Sequence, residues 1–172
     1  PVTEMITGLD LVEWQLRVAA GEPLPLRQEE IKLSGHAIEA RIYAEDPDAG
    51  FLPSIGTIRH FGLPAQGAKV RIDSAVDAGD AISPHYDPMI AKLIVHGDDR
   101  AEALKAMTQA LAGFHIVGLT ANVDFLRRLV ETPSFATADL DTGLIEREHD
   151  RLFSTPAIPA EAWCLAAMNE LL

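Results

Sequence analysis

An α+β domain, a mostly antiparallel central sheet flanked by helices, is what the 172-residue sequence predicts. Three observations carry that expectation. Residues 36–45 alternate, with Ile38, Ala40, Ile42 and Ala44 on one face and Glu39, Arg41, Tyr43 and Glu45 on the other, the period of a half-buried strand. Met89 to Val95 is apolar on both faces except at Lys92, as a central strand would be. Two segments at helical spacing begin at Asp10 and Asp99, each with Glu three residues on, the spacing of a capping box.

In chain order, Thr3 or Asp10 caps a first helix whose apolar stripe is Leu9, Val12, Leu16 and Ala19. Trp14 is read as core, Glu13 and Arg17 as an i,i+4 pair on the wet side, and Gly21 as the stop. Pro23 and Pro25 force the next stretch to be extended. Gly35 opens the alternating strand, and Asp46-Pro47-Asp48-Ala49-Gly50 closes it with turn chemistry. Thr57–Phe61 and Lys69–Val76 read as further strands. Asp77-Ala78-Gly79-Asp80 is a hairpin signal leading to a short strand at Ala81-Ile82-Ser83. After Asp99, Leu104, Met107, Leu111 and Phe114 keep helical spacing until Gly113, which makes Met107 a core residue. His115–Leu119 fits an edge strand, and Asn122 fits the cap of a helix carrying Val123, Leu126, Leu129 and Val130, stopped by Pro133. One more helix is expected over 142–153. Pro156 and Pro159 mark a linker, and a last helix over 161–172 belongs on this reading to a following domain.

With 48% hydrophobic residues the chain has the composition of a globular domain, and its length suffices for a proper core. A net charge of −12 argues against nucleic acid or an anionic membrane as partner. No apolar run approaches the roughly 20 residues of a membrane span. The single cysteine, Cys164, cannot form an internal disulfide and is read as a small apolar filler; a reducing compartment is permitted, with a bacterial cytoplasm and a mitochondrial matrix both fitting. A start at Pro1 and an end inside an apolar helical pattern suggest an excised piece. The six histidines are scattered, and no GxGxxG, GxxxxGK[ST] or GxSxG run is present, so no metal site is expected.

The charged strand face holds the chemistry. Arg41 lies between Glu39 and Glu45, held in place with its fork able to meet an anion bidentately. A solvated face laced with cross-charges worth less than about 1 kcal/mol each would show the same pattern. Three motifs add to it: residues 35–47, residues 50–56 (Gly-Phe-Leu-Pro-Ser-Ile-Gly) and residues 86–92 (Tyr-Asp-Pro-Met-Ile-Ala-Lys). In this order they resemble the C-terminal part of the biotin carboxylase component of biotin-dependent carboxylases. Within it the likeness, carried also by residues 1–8 and 115–119, is to the 3-methylcrotonyl-CoA carboxylase α subunits.

The resemblance implies a biotin carboxylase C-terminal domain over residues 1–153, with linker and next domain over 154–172. It implies ATP- and bicarbonate-dependent carboxylation of biotin, in which negative charge develops on the ureido oxygen. Arg41 matches the family's biotin- and bicarbonate-contacting arginine and is the expected catalytic and cofactor-binding residue. Glu39, Glu45 and Asp87 are expected to support it, Asp87 competing with a plain turn role before Pro88. Leu140 matches an adenine-contacting position, although Asp141 stands where many relatives carry His. Arg71 matches a dimer contact of some relatives. The ligands for ATP, Mg2+ and bicarbonate are implied mostly upstream of Pro1, so the piece alone should be inactive. Met107 is followed by Thr108, so the biotin-acceptor motif is absent and biotin would sit on a separate carrier domain. The implied partners are the upstream ATP-grasp segment, that carrier domain and a carboxyltransferase subunit. The alternatives are a propionyl-, acetyl- or geranyl-CoA carboxylase and, in another class, a non-catalytic interaction module.

Overall fold

The computed structural model describes residues 1–154 and 158–171, so Pro156 of the expected linker lies outside the described residues. Helices α1 (Val2–Thr7) and α2 (Leu11–Ala19) open the chain, and Asp10 caps the second by accepting the Glu13 N–H at 2.8 Å. The stripe on α2 is not core: Val12 and Leu16 are 62% and 68% exposed, and Trp14 is only half-buried. Periodicity specifies an apolar face, but nothing among the described residues covers this one.

The strands that follow are β1 (His36–Tyr43), β2 (Glu45–Asp46), β3 (Leu52–Pro53), β4 (Gly56–Thr57), β5 (His60–Gly62), β6 (Val70–Ser74), β7 (Ala81–Ile82) and β8 (Met89–Gly97). Antiparallel pairing in the order β1-β8-β6 makes the main sheet, with the apolar run of β8 at its centre. Gly35 enters β1 with φ 66°, and a Cβ there would strike the Gly97 carbonyl and the His96 ring, so the residue suits its place.

Two expectations about the smaller strands need correction. The turn at Asp77–Asp80 forms, with the Asp77 N–H donating to Asp80 Oδ2 at 2.8 Å, but β7 pairs with β4 rather than folding back on β6. Thr57–Phe61 is likewise not one strand. It breaks at the buried Ile58, whose N–H donates to the Asp80 carbonyl, so that β4 pairs with β7 while β5 pairs with β9 (His115–Val117).

Helix α3 (Arg100–Ala112) is capped by Asp99, which accepts the Glu102 N–H at 2.9 Å; the Glu102 carboxylate reaches back to the Asp98 N–H. Its buried Ala103, Met107, Ala110 and Leu111 join Ile38, Ala40, Ile42, Ile72, Leu93 and Val95 of the sheet in one core. Next come α4 (Val123–Val130) and α5 (Pro133–Ala136), the latter starting at Pro133 with Thr132 as cap. Asn122 stands at the N-cap of α4 but makes no side-chain capping bond; its carboxamide is bonded elsewhere. The helix expected over 142–153 is instead α6 (Leu144–Arg147) and α7 (His149–Leu152). The break falls at Glu148, whose carboxylate is drawn to the Ser134 hydroxyl and to Arg151. Phe51, at the unusual φ of 62°, places its ring edge-on to Phe125 at 5.0 Å and to Phe153 at 6.2 Å. Helix α8 (Ala160–Leu171) carries Cys164, which is exposed and therefore no apolar filler.

Candidate functional site

The face of the main sheet opposite α3 carries two cross-strand rows set by the register. Glu39, Ile94 and Arg71 form one; Arg41, Lys92 and Asp73 form the other. Over the first row lies α1, whose Glu4 carboxylate meets Arg71 Nη1 at 2.8 Å. Asp73 takes Arg71 bidentately at 2.8 and 2.9 Å. Asp73 and then Glu4 raise the pKa of this guanidinium further above its ordinary range. A groove of about 450 Å3 runs along this face, lined among others by Glu4, Glu39, Arg71, Asp73 and Lys92.

Arg41 stands beside that groove on the second row. Its side chain is 61% exposed, and its Nε donates to Glu39 Oε1 at 3.3 Å. Beyond that bond only the Tyr43 hydroxyl lies close to the guanidinium, and most of the fork faces solvent. The Glu39 carboxylate first, and the Tyr43 hydroxyl second, raise its pKa above the ordinary value, so the charge is permanent. Lys92 directly opposite adds a second cation, and like charges facing each other across strands disfavour the fold, while the carboxylates of Glu39 and Asp73 stand beside the pair.

Of the other residues singled out in the sequence, Glu39 touches Arg41 directly. Glu45 does not; its Oε1 accepts from Asn122 Nδ2 at 3.0 Å, and burial, partly offset by that bond, raises its pKa. Asp87 is exposed and accepts the Met89 N–H at 3.0 Å, a turn preceding β8 at the end where Ala44 N–H donates to the Pro88 carbonyl. Leu140 is 47% exposed, between α5 and α6, and Asp141 beside it is ion-paired to Arg147. No described contact brings Leu140 to the Arg41 face. Among the described residues, no three His, Cys, Asp or Glu side chains gather as a metal site would require. No helix there is long and apolar enough to cross a membrane.

Residues 39–147, more than half of the chain, match the family described as biotin carboxylase C-terminal domain. The chain belongs to this family. Residues 1–27 match a second one, the carbamoyl-phosphate synthase L chain ATP binding domain. The methylcrotonoyl-CoA carboxylase subunit alpha of Mus musculus mitochondria is 53% identical over all of this chain and 24% of its own length. The biotin carboxylase of Halalkalibacterium halodurans is 49% identical, over 84% of this chain and 32% of its own. Among solved structures, the biotin carboxylase domain of Hydrogenobacter thermophilus 2-oxoglutarate carboxylase, in complex with MgADP, ADP and bicarbonate, superposes with a TM-score of 0.87. It is 40% identical, over 91% of this chain and 34% of that one. This biotin carboxylase C-terminal domain thus spans a fifth to a third of the curated relatives it matches.

Sequence reasoning missed Asn122, which it took for a helix cap. The residue is buried, and its side chain is tied to the Arg41 carbonyl and the Tyr43 N–H of β1. An amide side chain within the short stretch Leu119-Thr120-Ala121-Asn122-Val123 was the only available signal.

Proposed function

We propose that this chain supplies one wall of the site in which a biotin-dependent acyl-CoA carboxylase, of the 3-methylcrotonyl-CoA type, carboxylates biotin with ATP and bicarbonate. The observation that carries the reading is an open, permanently charged Arg41 fork, tethered at Nε by Glu39, in a member of the biotin carboxylase C-terminal domain family. Biotin, when bound, supplies a ureido nitrogen that becomes nucleophilic as its proton leaves and charge builds on the ureido oxygen.

Arg41 fits that oxygen: most of its fork faces solvent, and Glu39 restricts the side chain to one side of the strand. A donor already in place where charge develops lowers the barrier by about 3 kcal/mol. Glu39 orients the fork, and Lys92 adds a second cation beside it. The described residues do not fit a magnesium site. We assign ATP and Mg2+ ligation to the upstream ATP-grasp segment of the parent protein. Its other partners are a biotin carrier domain and a carboxyltransferase subunit, and its compartment is a mitochondrial matrix or bacterial cytoplasm. The division into residues 1–153 and a linker with the next domain over 154–172 belongs to the same proposal, as does Leu140 near adenine.

The test is R41A in the full-length parent. Biotin-dependent ATP turnover should fall on the order of 10²- to 10³-fold, with KM for ATP little changed. Turnover within twofold of wild type would refute the assignment. A docking module would instead keep turnover and lose a partner. Assay of the parent complex against methylcrotonyl-, propionyl-, acetyl- and geranyl-CoA decides the acyl group.

A further inference from the structure

Strand β1 is an edge. Strand β8 covers one side of it, and on the other side the Arg41 carbonyl and the Tyr43 N–H face outward together, as C=O(i) and N–H(i+2) of a strand do. In a wider sheet a residue of the next strand would meet both. Here the carboxamide of Asn122 does so. Its Nδ2 donates to the Arg41 carbonyl at 3.2 Å, and its Oδ1 accepts the Tyr43 N–H at 3.0 Å. The Asn122 main chain completes the imitation, its N–H donating to the Tyr43 carbonyl at 3.1 Å. The remaining Nδ2 proton goes to Glu45 Oε1 at 3.0 Å, so the side-chain donors and acceptor are all engaged in a residue only 4% exposed.

The position of Asn122 is itself fixed. Two residues earlier, Thr120 N–H donates to Ser54 Oγ at 3.0 Å, and Ser54 N–H donates to the Ala44 carbonyl at 2.8 Å. The loops on either side of the edge are therefore lashed to the same few residues. The clamp sits where the β1–β8 register slips, between Ile42 and Tyr43, and such a slip re-aims the side chains around it.

We propose that Asn122 is a positioning residue for biotin carboxylation: its carboxamide replaces the missing neighbour strand and fixes the backbone from which Arg41 projects. The proposal rests on the reading of Arg41 given above. Asn is the side chain for the task because it carries a donor and an acceptor side by side, as a peptide does. Asp keeps the acceptor for Tyr43 but loses both donors and faces Glu45 with a like charge.

The experiment uses the full-length parent. N122D should lower biotin-dependent kcat roughly 10- to 100-fold, the scale at which a misplaced catalytic group costs rate, while KM for ATP stays within twofold. Adding E45Q restores a donor opposite the new carboxylate. Turnover of N122D/E45Q relative to E45Q, with all variants assayed below their melting temperatures, should therefore recover part of the loss but not all of it, because the Arg41 carbonyl still lacks its donor. N122A, assayed below its melting temperature, serves where N122D folds poorly. A crystal structure of the N122A parent should show the Arg41 guanidinium displaced by about 1 Å or more. Unchanged kcat in N122D or N122A, or an undisplaced Arg41, overturns the proposal. If R41A itself keeps full turnover, the functional reading has failed instead, and the crystallographic displacement alone then decides whether Asn122 positions Arg41.

Discussion

Arg41 and Glu39 show how one residue is made ready without being buried. Arg41 is too exposed for its bond to the largely covered Glu39 to hold the fold. What that bond fixes is the direction of the fork. Glu45 behaves differently, because partial burial raises its carboxyl pKa while Asn122 offers only a partial offset. The folded state therefore favours the protonated form more than the unfolded state does. Stability contributed by Glu45 is present below its ordinary value of 4.5 and is lost as pH rises through the higher folded pKa. Asp141 has the opposite sign: Arg147 and the Gly143 N–H lower its pKa, so its contribution is present above 3.8 and is lost as pH falls. We therefore expect E45Q to melt at a higher temperature than wild type at neutral pH, with the gap closing as pH falls below 4.5; a gap constant across that range would contradict it.

The elements that were legible are those whose pattern is local and repeated. The alternation of β1, the apolar run of β8 and the Asp99 cap of α3 each state their geometry in consecutive residues, and each formed as expected. Met107 follows from the same spacing and is fully buried. M107A should cost about 2–5 kcal/mol in a denaturant or thermal melt of the parent; a loss below about 1 kcal/mol would mean that α3 does not seal the sheet. What failed depended on distant partners. The choice of β4 rather than β6 by β7 is invisible in the turn sequence, because the turn chemistry of Asp77–Asp80 is the same either way. The break at Glu148 depends on Ser134, and Phe51 holds its φ of 62° among the rings of Phe125 and Phe153, which lie far along the chain. At the site the same division holds. Arg41 and Glu39 are two apart on one strand face and were readable, whereas Asn122 reaches that strand from 81 residues away.

At the scale of the whole molecule, a chain of net charge −12 presents a local pair of cations, Arg41 and Lys92, on one sheet face. The long-range field repels phosphates, so the phosphates of any nucleotide must be held by close ligands, which on our proposal lie mostly upstream of Pro1. The apolar face of α2, with Val12 and Leu16 exposed, falls within residues 1–27, the stretch that matches an ATP-binding domain. The purified 172-residue chain should accordingly fold cooperatively yet show no bicarbonate-dependent ATP hydrolysis above buffer, with or without added biotin, while the full-length parent assayed alongside turns over. Arg41 can stabilise charge only on an oxygen delivered to it, and delivery needs a nucleotide site and a carrier that this chain does not supply on our reading. Measurable bicarbonate-dependent hydrolysis by the isolated chain would show that the phosphate ligands lie within these residues, and the division of labour argued here would have to be redrawn.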